Sequence, residues 1–247
     1  MSNKPPIKRP PRGLFVTGTS TESGKTFVAA LIARALRQAG HRVGVYKPAA
    51  SDCVKVGNEI ISEDAAVLWE AAGRPHTLEA VCPQRFQAVL APHLAAKAEG
   101  REIDSKMLRQ GIETWSDHCD VVVIEGAGGL MSPIGESDFV ADVAMDMGYP
   151  LIVVVPNVLG CINLTMQTLI AAACYGDGMP VAGIVMTHPE GFEGDVSINS
   201  NADEIAKRSI APMLATVPFG AEDFDTPVDW FDLANPAKFR NGKPAVK

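Results

Sequence analysis

The sequence has no excess of positive charge: 22 lysines and arginines face 29 aspartates and glutamates, for a formal charge of −7. Its basic residues are scattered, which argues against a general nucleic-acid binder and means that any anion must be caught locally. It has no cysteine clip. Cys53, Cys82, Cys119, Cys161 and Cys174 are odd in number, and none has C-x-x-C or zinc-ligand spacing, so they read as reduced, mostly buried thiols. His41, His76, His93, His118 and His188 form no metal-like cluster and share no triad spacing with serine or cysteine. No uninterrupted apolar run approaches a membrane span, and the opening residues lack the apolar stretch of a signal peptide. A soluble, cytoplasmic protein is expected.

What is present is an ordinary globular balance, 47% hydrophobic and 21% charged across 247 residues. Residues 1–12, with Pro5, Pro6, Pro10 and Pro11 among basic residues, cannot propagate a helix or a central strand and are expected to form a mobile arm. Beyond them, short apolar runs recur: Leu14–Val16, Val43–Tyr46, Val121–Ile124, Leu151–Val155 and Val181–Met186. Runs without polar alternation suit strands buried on both faces, as in parallel sheets covered by helices. Helical patterns lie between and after them, at about 24–39, 63–72, 105–115, 139–147, 162–174 and 202–209. The order predicts an α/β fold with a doubly wound, mostly parallel sheet and helices on both faces, forming one domain over 13–220. Residues 221–247 have little periodicity and are expected to be a loosely attached tail.

Ligands of such sheets collect beyond the carboxyl ends of the strands. Directly after the first run stands Gly18-Thr19-Ser20-Thr21-Glu22-Ser23-Gly24-Lys25-Thr26, followed by the apolar start of a helix. A phosphate loop needs a glycine to turn its amides inward, a lysine for the β and γ phosphates and a hydroxyl for magnesium. Gly24, Lys25 and Thr26 supply all three, although the usual first glycine falls one place early, at Gly18. This makes the fold phosphate-loop NTPase-like. Lys47 ends the second run, where its ammonium can meet an anionic reaction centre. Asp64 opens a helix, and Glu125 closes the most uniformly apolar strand ahead of Gly126-Ala127-Gly128-Gly129. These two acids are the ones positioned to complete the magnesium shell that Thr26 begins. Gly160-Cys161-Ile162-Asn163 starts a helix after the fourth run, where free amides make an anion site.

Together with Tyr46-Lys47-Pro48-Ala49-Ala50-Ser51 and Ala91-Pro92-His93, these motifs, in this order from about Leu14 to Gly220, resemble the dethiobiotin synthetase family. The early first glycine is itself that family's habit. The resemblance implies a ligase that uses ATP and Mg2+ to close a cyclic urea on 7,8-diaminopelargonate with carbon dioxide, through a carbamate and a carbamic–phosphoric anhydride. It makes Lys25 and Lys47 catalytic, and Thr26, Asp64 and Glu125 the metal ligands. Thr21, Glu22, Ser23, Gly24, Phe27, Gly126, Ala127 and Gly128 then cradle the nucleotide, with Thr187, His188, Pro218 and Phe219 on the side of its base. Ser51 and Gly128 meet the substrate, whose carboxylate lies at Gly160, Cys161, Ile162 and Asn163 of a partner subunit, which implies a homodimer.

The family commonly shows Asn-Asp, reading the adenine edge, where this chain has Thr187-His188. Threonine lacks the paired donor and acceptor of an amide, so the resemblance leaves the base open. A second reading is a partitioning or switch ATPase with the same fold and loop. Such proteins carry an extra lysine early in the loop, where this chain has Ser20 and Thr21. An amidotransferase-type cousin would need a glutamine-hydrolysing domain, for which 247 residues leave no room.

Overall fold

Six apolar strands build one sheet: β1 (Arg12–Gly18), β2 (Val43–Tyr46), β3 (Val121–Gly129), β4 (Leu151–Pro156), β5 (Val181–Thr187) and β6 (Met213–Val217). A computed structural model describes residues 7–191 and 194–239. Every neighbouring pair is parallel, in the order β6-β5-β4-β1-β3-β2. Parallel strands need crossovers, and α1 (Lys25–Gln38), α2 (Glu63–Ala71), α3 (Val140–Met147), α4 (Cys161–Cys174) and α5 (Asn201–Arg208) flank the sheet between them. All five expected runs are strands. The sheet is a doubly wound α/β sheet, and β1 lies between β3 and β4, so the chain winds away from it to both sides. The crevice at the carboxyl end of β1 is therefore the switch point where such sheets bind ligands.

Burial follows the apolar runs. Leu14, Phe15 and Val16 of β1, Val121 to Ile124 of β3 and Leu151 to Val155 of β4 are all fully buried. The helix expected over 105–115 is a single α-turn, Met107–Gln110, that tightens into a 3-10 turn at Gly111–Trp115. Tyr46 packs under this turn: its hydroxyl donates to the Met107 carbonyl at 2.6 Å, and a Cβ at Gly111 would lie 2.3 Å from that hydroxyl, so only glycine fits there.

Both terminal segments differ from expectation where they are described. Residues 1–6 and 240–247 lie outside the described residues. Pro10 is buried, its carbonyl accepts the Tyr149 hydroxyl at 2.7 Å, and the Arg9 guanidinium stands 5.0 Å over the Tyr149 ring. The part of the arm nearest the sheet is thus packed. The tail is packed as well, since Trp230 is 3% exposed against Phe224 and the Gly13 amide donates to Ala234 at 2.9 Å. Aromatic burial supplies the attachment that periodicity did not reveal. Among the described residues, no helix is long and apolar enough to cross a membrane.

Candidate active site

The loop between β1 and α1 is shaped by two glycines. Gly24 caps α1 with φ at 84°, the left-handed conformation that glycine adopts without strain. Gly18 is needed for space: a Cβ there would stand 2.2 Å from Ser23 Oγ and 2.7 Å from the Ser20 carbonyl. The loop closes on itself at Gly18, which explains why its first glycine comes one residue early. Free amides at the start of α1 face the same hollow as the helix dipole's positive end. Lys25 is folded back, its ammonium donating to the Ser20 carbonyl at 3.3 Å. Burial lowers its pKa, Glu125 opposes that, and nearby Lys47 reinforces it.

Beside the loop, residues distant in sequence meet. Glu125 Oε1 accepts the Lys47 ammonium at 2.6 Å and the Thr26 hydroxyl at 2.9 Å. Asp64 Oδ2 lies 2.8 Å from the same ammonium. The strand ends deliver Lys47 and Glu125, and Ser62 delivers Asp64 by capping α2 through the Ala65 amide at 3.2 Å. Lys47 and Glu125 are 4% and 1% exposed, so their charges are compensated by each other more than by water. Burial works against the Lys47 charge, but Glu125 and then Asp64 outweigh it and hold the ammonium above its ordinary value. Burial likewise opposes the Asp64 charge, and Lys47 overcomes it, leaving the carboxyl below its usual range. Glu125 Oε2 is buried without a hydrogen-bond partner among the described residues.

The other expected residues divide. Gly128 and Gly129 line the loop: a Cβ at Gly128 would be 3.6 Å from Thr21 Oγ1, and one at Gly129 would be 3.4 Å from the Gly18 carbonyl. Thr21 and Glu22 are exposed at the loop's crest, Ser23 is buried, Phe27 is half-buried on α1 and Ala127 is half-buried on β3. Gly126 is spent on packing, because a Cβ there would meet Val140 at 2.8 Å. His188, Pro218 and Phe219 gather where the paired strands β5 and β6 end, and Phe219 is 65% exposed. Thr187 faces the other way and bonds the loop itself. Ser51 follows the short strand Ala49–Ala50, half-buried.

Gly160, with φ at 93°, caps α4. Cys161 is fully buried and its amide donates to the Val158 carbonyl at 3.1 Å, while Ile162 is half-buried and Asn163 exposed at the start of the helix. Among the described residues no hydrogen bond joins this turn to the Lys47 cluster. A cavity of about 400 Å³, lined by Ser20, Thr21, Met131, Pro133, Leu164 and Gln167 among others, opens on the far flank of the loop.

A glycine-shaped loop ahead of a helix, at the switch point of a parallel sheet and beside a buried lysine–carboxylate cluster, defines a phosphate-loop nucleotide-dependent protein. A family model described as an AAA domain matches residues 12–222. The ATP-dependent dethiobiotin synthetase BioD of Rhodopirellula baltica is 42% identical over 214 residues, 82% of each chain. That of Anaeromyxobacter dehalogenans is 42% identical over 208 residues, covering 84% of this chain and 90% of its own. That of Aromatoleum aromaticum is 36% identical over 208 residues, covering 84% and 91%. Among solved structures, the signal recognition particle receptor FtsY from Elizabethkingia anophelis superposes with a TM-score of 0.55 at 14% identity, over 95% of this chain and 66% of that one. A MinC:MinD cell division complex from Aquifex aeolicus gives 0.50 at 15%, over 93% and 88%. These two share the fold alone. The chain belongs to the dethiobiotin synthetase family, which favours the ligase over the switch ATPase.

Proposed function

We infer that the chain closes the ureido ring of dethiobiotin from 7,8-diaminopelargonate, carbon dioxide and a nucleoside triphosphate, ATP being the one its relatives are named for. The observation that carries this reading is the Lys47 ammonium, buried on Glu125 and Asp64 at the rim of the phosphate loop. One amine of the substrate adds to carbon dioxide and loses a proton, giving a carbamate. A carbamate oxygen takes the γ-phosphoryl group and the nucleoside diphosphate leaves. The second amine then attacks the carbamoyl carbon, expelling inorganic phosphate and a proton. Charge gathers on oxygens throughout, so catalysis is positioning plus stabilisation of that charge.

Lys25 and the loop amides hold the phosphates, and Lys47 faces the carbamate and the transferring phosphoryl group. Ser51 and Gly128 border the reacting end of the substrate. Thr26, Asp64 and Glu125 are hard oxygen donors suited to Mg2+, and the unpartnered, buried Glu125 Oε2 fits that use. When bound, Mg2+ neutralises phosphate charge. The substrate carboxylate is taken at the helix start formed by Gly160, Cys161, Ile162 and Asn163 of a second copy of the chain, making the active unit a cytoplasmic homodimer. His188, Pro218 and Phe219 border the base.

The test is incubation of purified protein with diaminopelargonate, bicarbonate, Mg2+ and ATP, CTP or GTP. Dethiobiotin by mass and released phosphate are expected in equal amounts. Absence of product with all three nucleotides overturns the reading. Sedimentation at the mass of a monomer would remove the shared substrate site.

A further inference from the structure

We propose that Thr187 is a positioning residue that holds the phosphate loop in its anion-accepting shape and takes no part in reading the nucleotide base. This rests on the reading of the loop as a triphosphate cradle. Thr187 ends β5 and is 6% exposed. Its hydroxyl donates to the Ser23 carbonyl at 3.0 Å, with the Val155 carbonyl a longer second acceptor at 3.4 Å. A hydroxyl has one proton to give, and here that proton is committed beneath the loop. The γ2 methyl is committed too, lying 3.0 Å from the place a Cβ would take at Gly24. With its proton spent, its methyl packed on Gly24 and the residue 6% exposed, Thr187 has no donor to offer a base and is turned into the loop.

What the two branches touch is the critical turn. Ser23 immediately precedes Gly24, whose left-handed φ of 84° turns the chain into α1. At its other end the loop is fixed by the Thr19 amide, which donates to the Val154 carbonyl at 3.0 Å. The loop is thus stitched at both ends to the β4–β5 edge, once by backbone and once by the Thr187 side chain. Losing the second stitch strands a carbonyl and frees the turn that aims the amides. The penalty falls on phosphate affinity, whatever base the phosphates carry. The groups turned toward a base are His188, Pro218 and Phe219, on the two strand exits beyond.

Calorimetric binding of ATP, CTP and inorganic tripolyphosphate to the full chain in Mg2+ separates the roles, since tripolyphosphate has no base. Thr187→Val is expected to weaken all three by a similar factor, roughly tenfold for a lost buried hydrogen bond, with Thr187→Ser within about twofold of wild type. Should valine disturb folding, judged by melting temperature, Thr187→Ala removes the hydroxyl without crowding the loop and carries the same expectation. The inference is overturned if the nucleotides weaken while tripolyphosphate does not, if serine fails to rescue, or if melting falls with affinity unchanged. A wild-type protein that binds none of the three ligands overturns instead the reading of the loop.

Discussion

Lys47 carries its charge where water is nearly absent, and only Glu125 and Asp64 make that tolerable. Breaking a buried pair by removing one partner leaves the other charge uncompensated. Lys47→Ala is therefore expected to act twice. Turnover falls by roughly 10²–10³, the usual result of deleting a group that stabilises developing charge; a loss below about threefold would remove Lys47 from the chemistry. In nucleotide-free protein the same variant binds Mn2+ more tightly than wild type by spin-resonance titration, because an ammonium no longer competes for the two carboxylates. Unchanged or weaker Mn2+ binding would show that Lys47 does not hold the cation position. At Gly18 the constraint is steric. Gly18→Ala sets a methyl 2.2 Å from Ser23 Oγ, so the loop must reopen, and nucleotide affinity is expected to drop more than about tenfold while the far edge of the sheet keeps its stability. Wild-type affinity in that variant would mean the loop has slack that the geometry denies.

At the scale of elements, visibility in the sequence tracked two-sided burial. β1 to β5 stand out as apolar runs because nearly all their residues are covered on both faces. β6 does not: Met213, Leu214 and Thr216 are only half-buried at the sheet's edge, and Met213-Leu214-Ala215-Thr216-Val217 lacks an uninterrupted branched run. The helix Pro92–Ala98 also went unseen, as its alanines pack on a small separate cluster around Phe86. Much of the candidate site was legible, because strand ends and helix starts are where this topology concentrates chemistry. The inward turn of Thr187, the packing duty of Gly126 and the crowding at Gly18 were not, since each depends on neighbours remote in sequence. The helix Trp230–Leu233 belongs with these, held by the buried Trp230 indole together with Phe231, which stacks on His41 and lies under the Arg12 guanidinium. Trp230→Ala is expected to cost roughly 3–5 kcal/mol, or about 6–20 °C in melting temperature for a chain of this size, with KM for the nucleotide unmoved. An unchanged melting temperature would return residues 221–239 to the status of a loose tail.

Over the whole molecule, burial of thiols and phenols biases titration in one direction, and the buried Lys25, whose pKa burial lowers, is an opposing group. Cys82 and Cys119 are pushed up to about 12 by burial, and burial also raises Cys53, Cys161, Tyr46 and Tyr149. Each of these groups keeps its proton in the folded chain at a pH where the unfolded chain loses it. Their contribution is complete below the ordinary values, 9.0 for the thiols and 10.0 for the phenols, and drains away as pH rises toward the folded values, because the unfolded state then binds fewer protons. Lys47, raised by its two carboxylates, has the same sign. The guanidinium midpoint is therefore expected to fall steadily between about pH 8 and about pH 10.5. The fall should be shallower in a Cys82→Ala, Cys119→Ala double variant, which removes two of the titrating groups. The same burial makes a kinetic prediction: of the five cysteines only Cys174 is exposed, so one thiol reacts rapidly with a disulfide reagent in the native protein and all five react in denaturant. A midpoint flat across that range, together with several fast native thiols, would mean that the sheet's two faces are wetter than their packing implies.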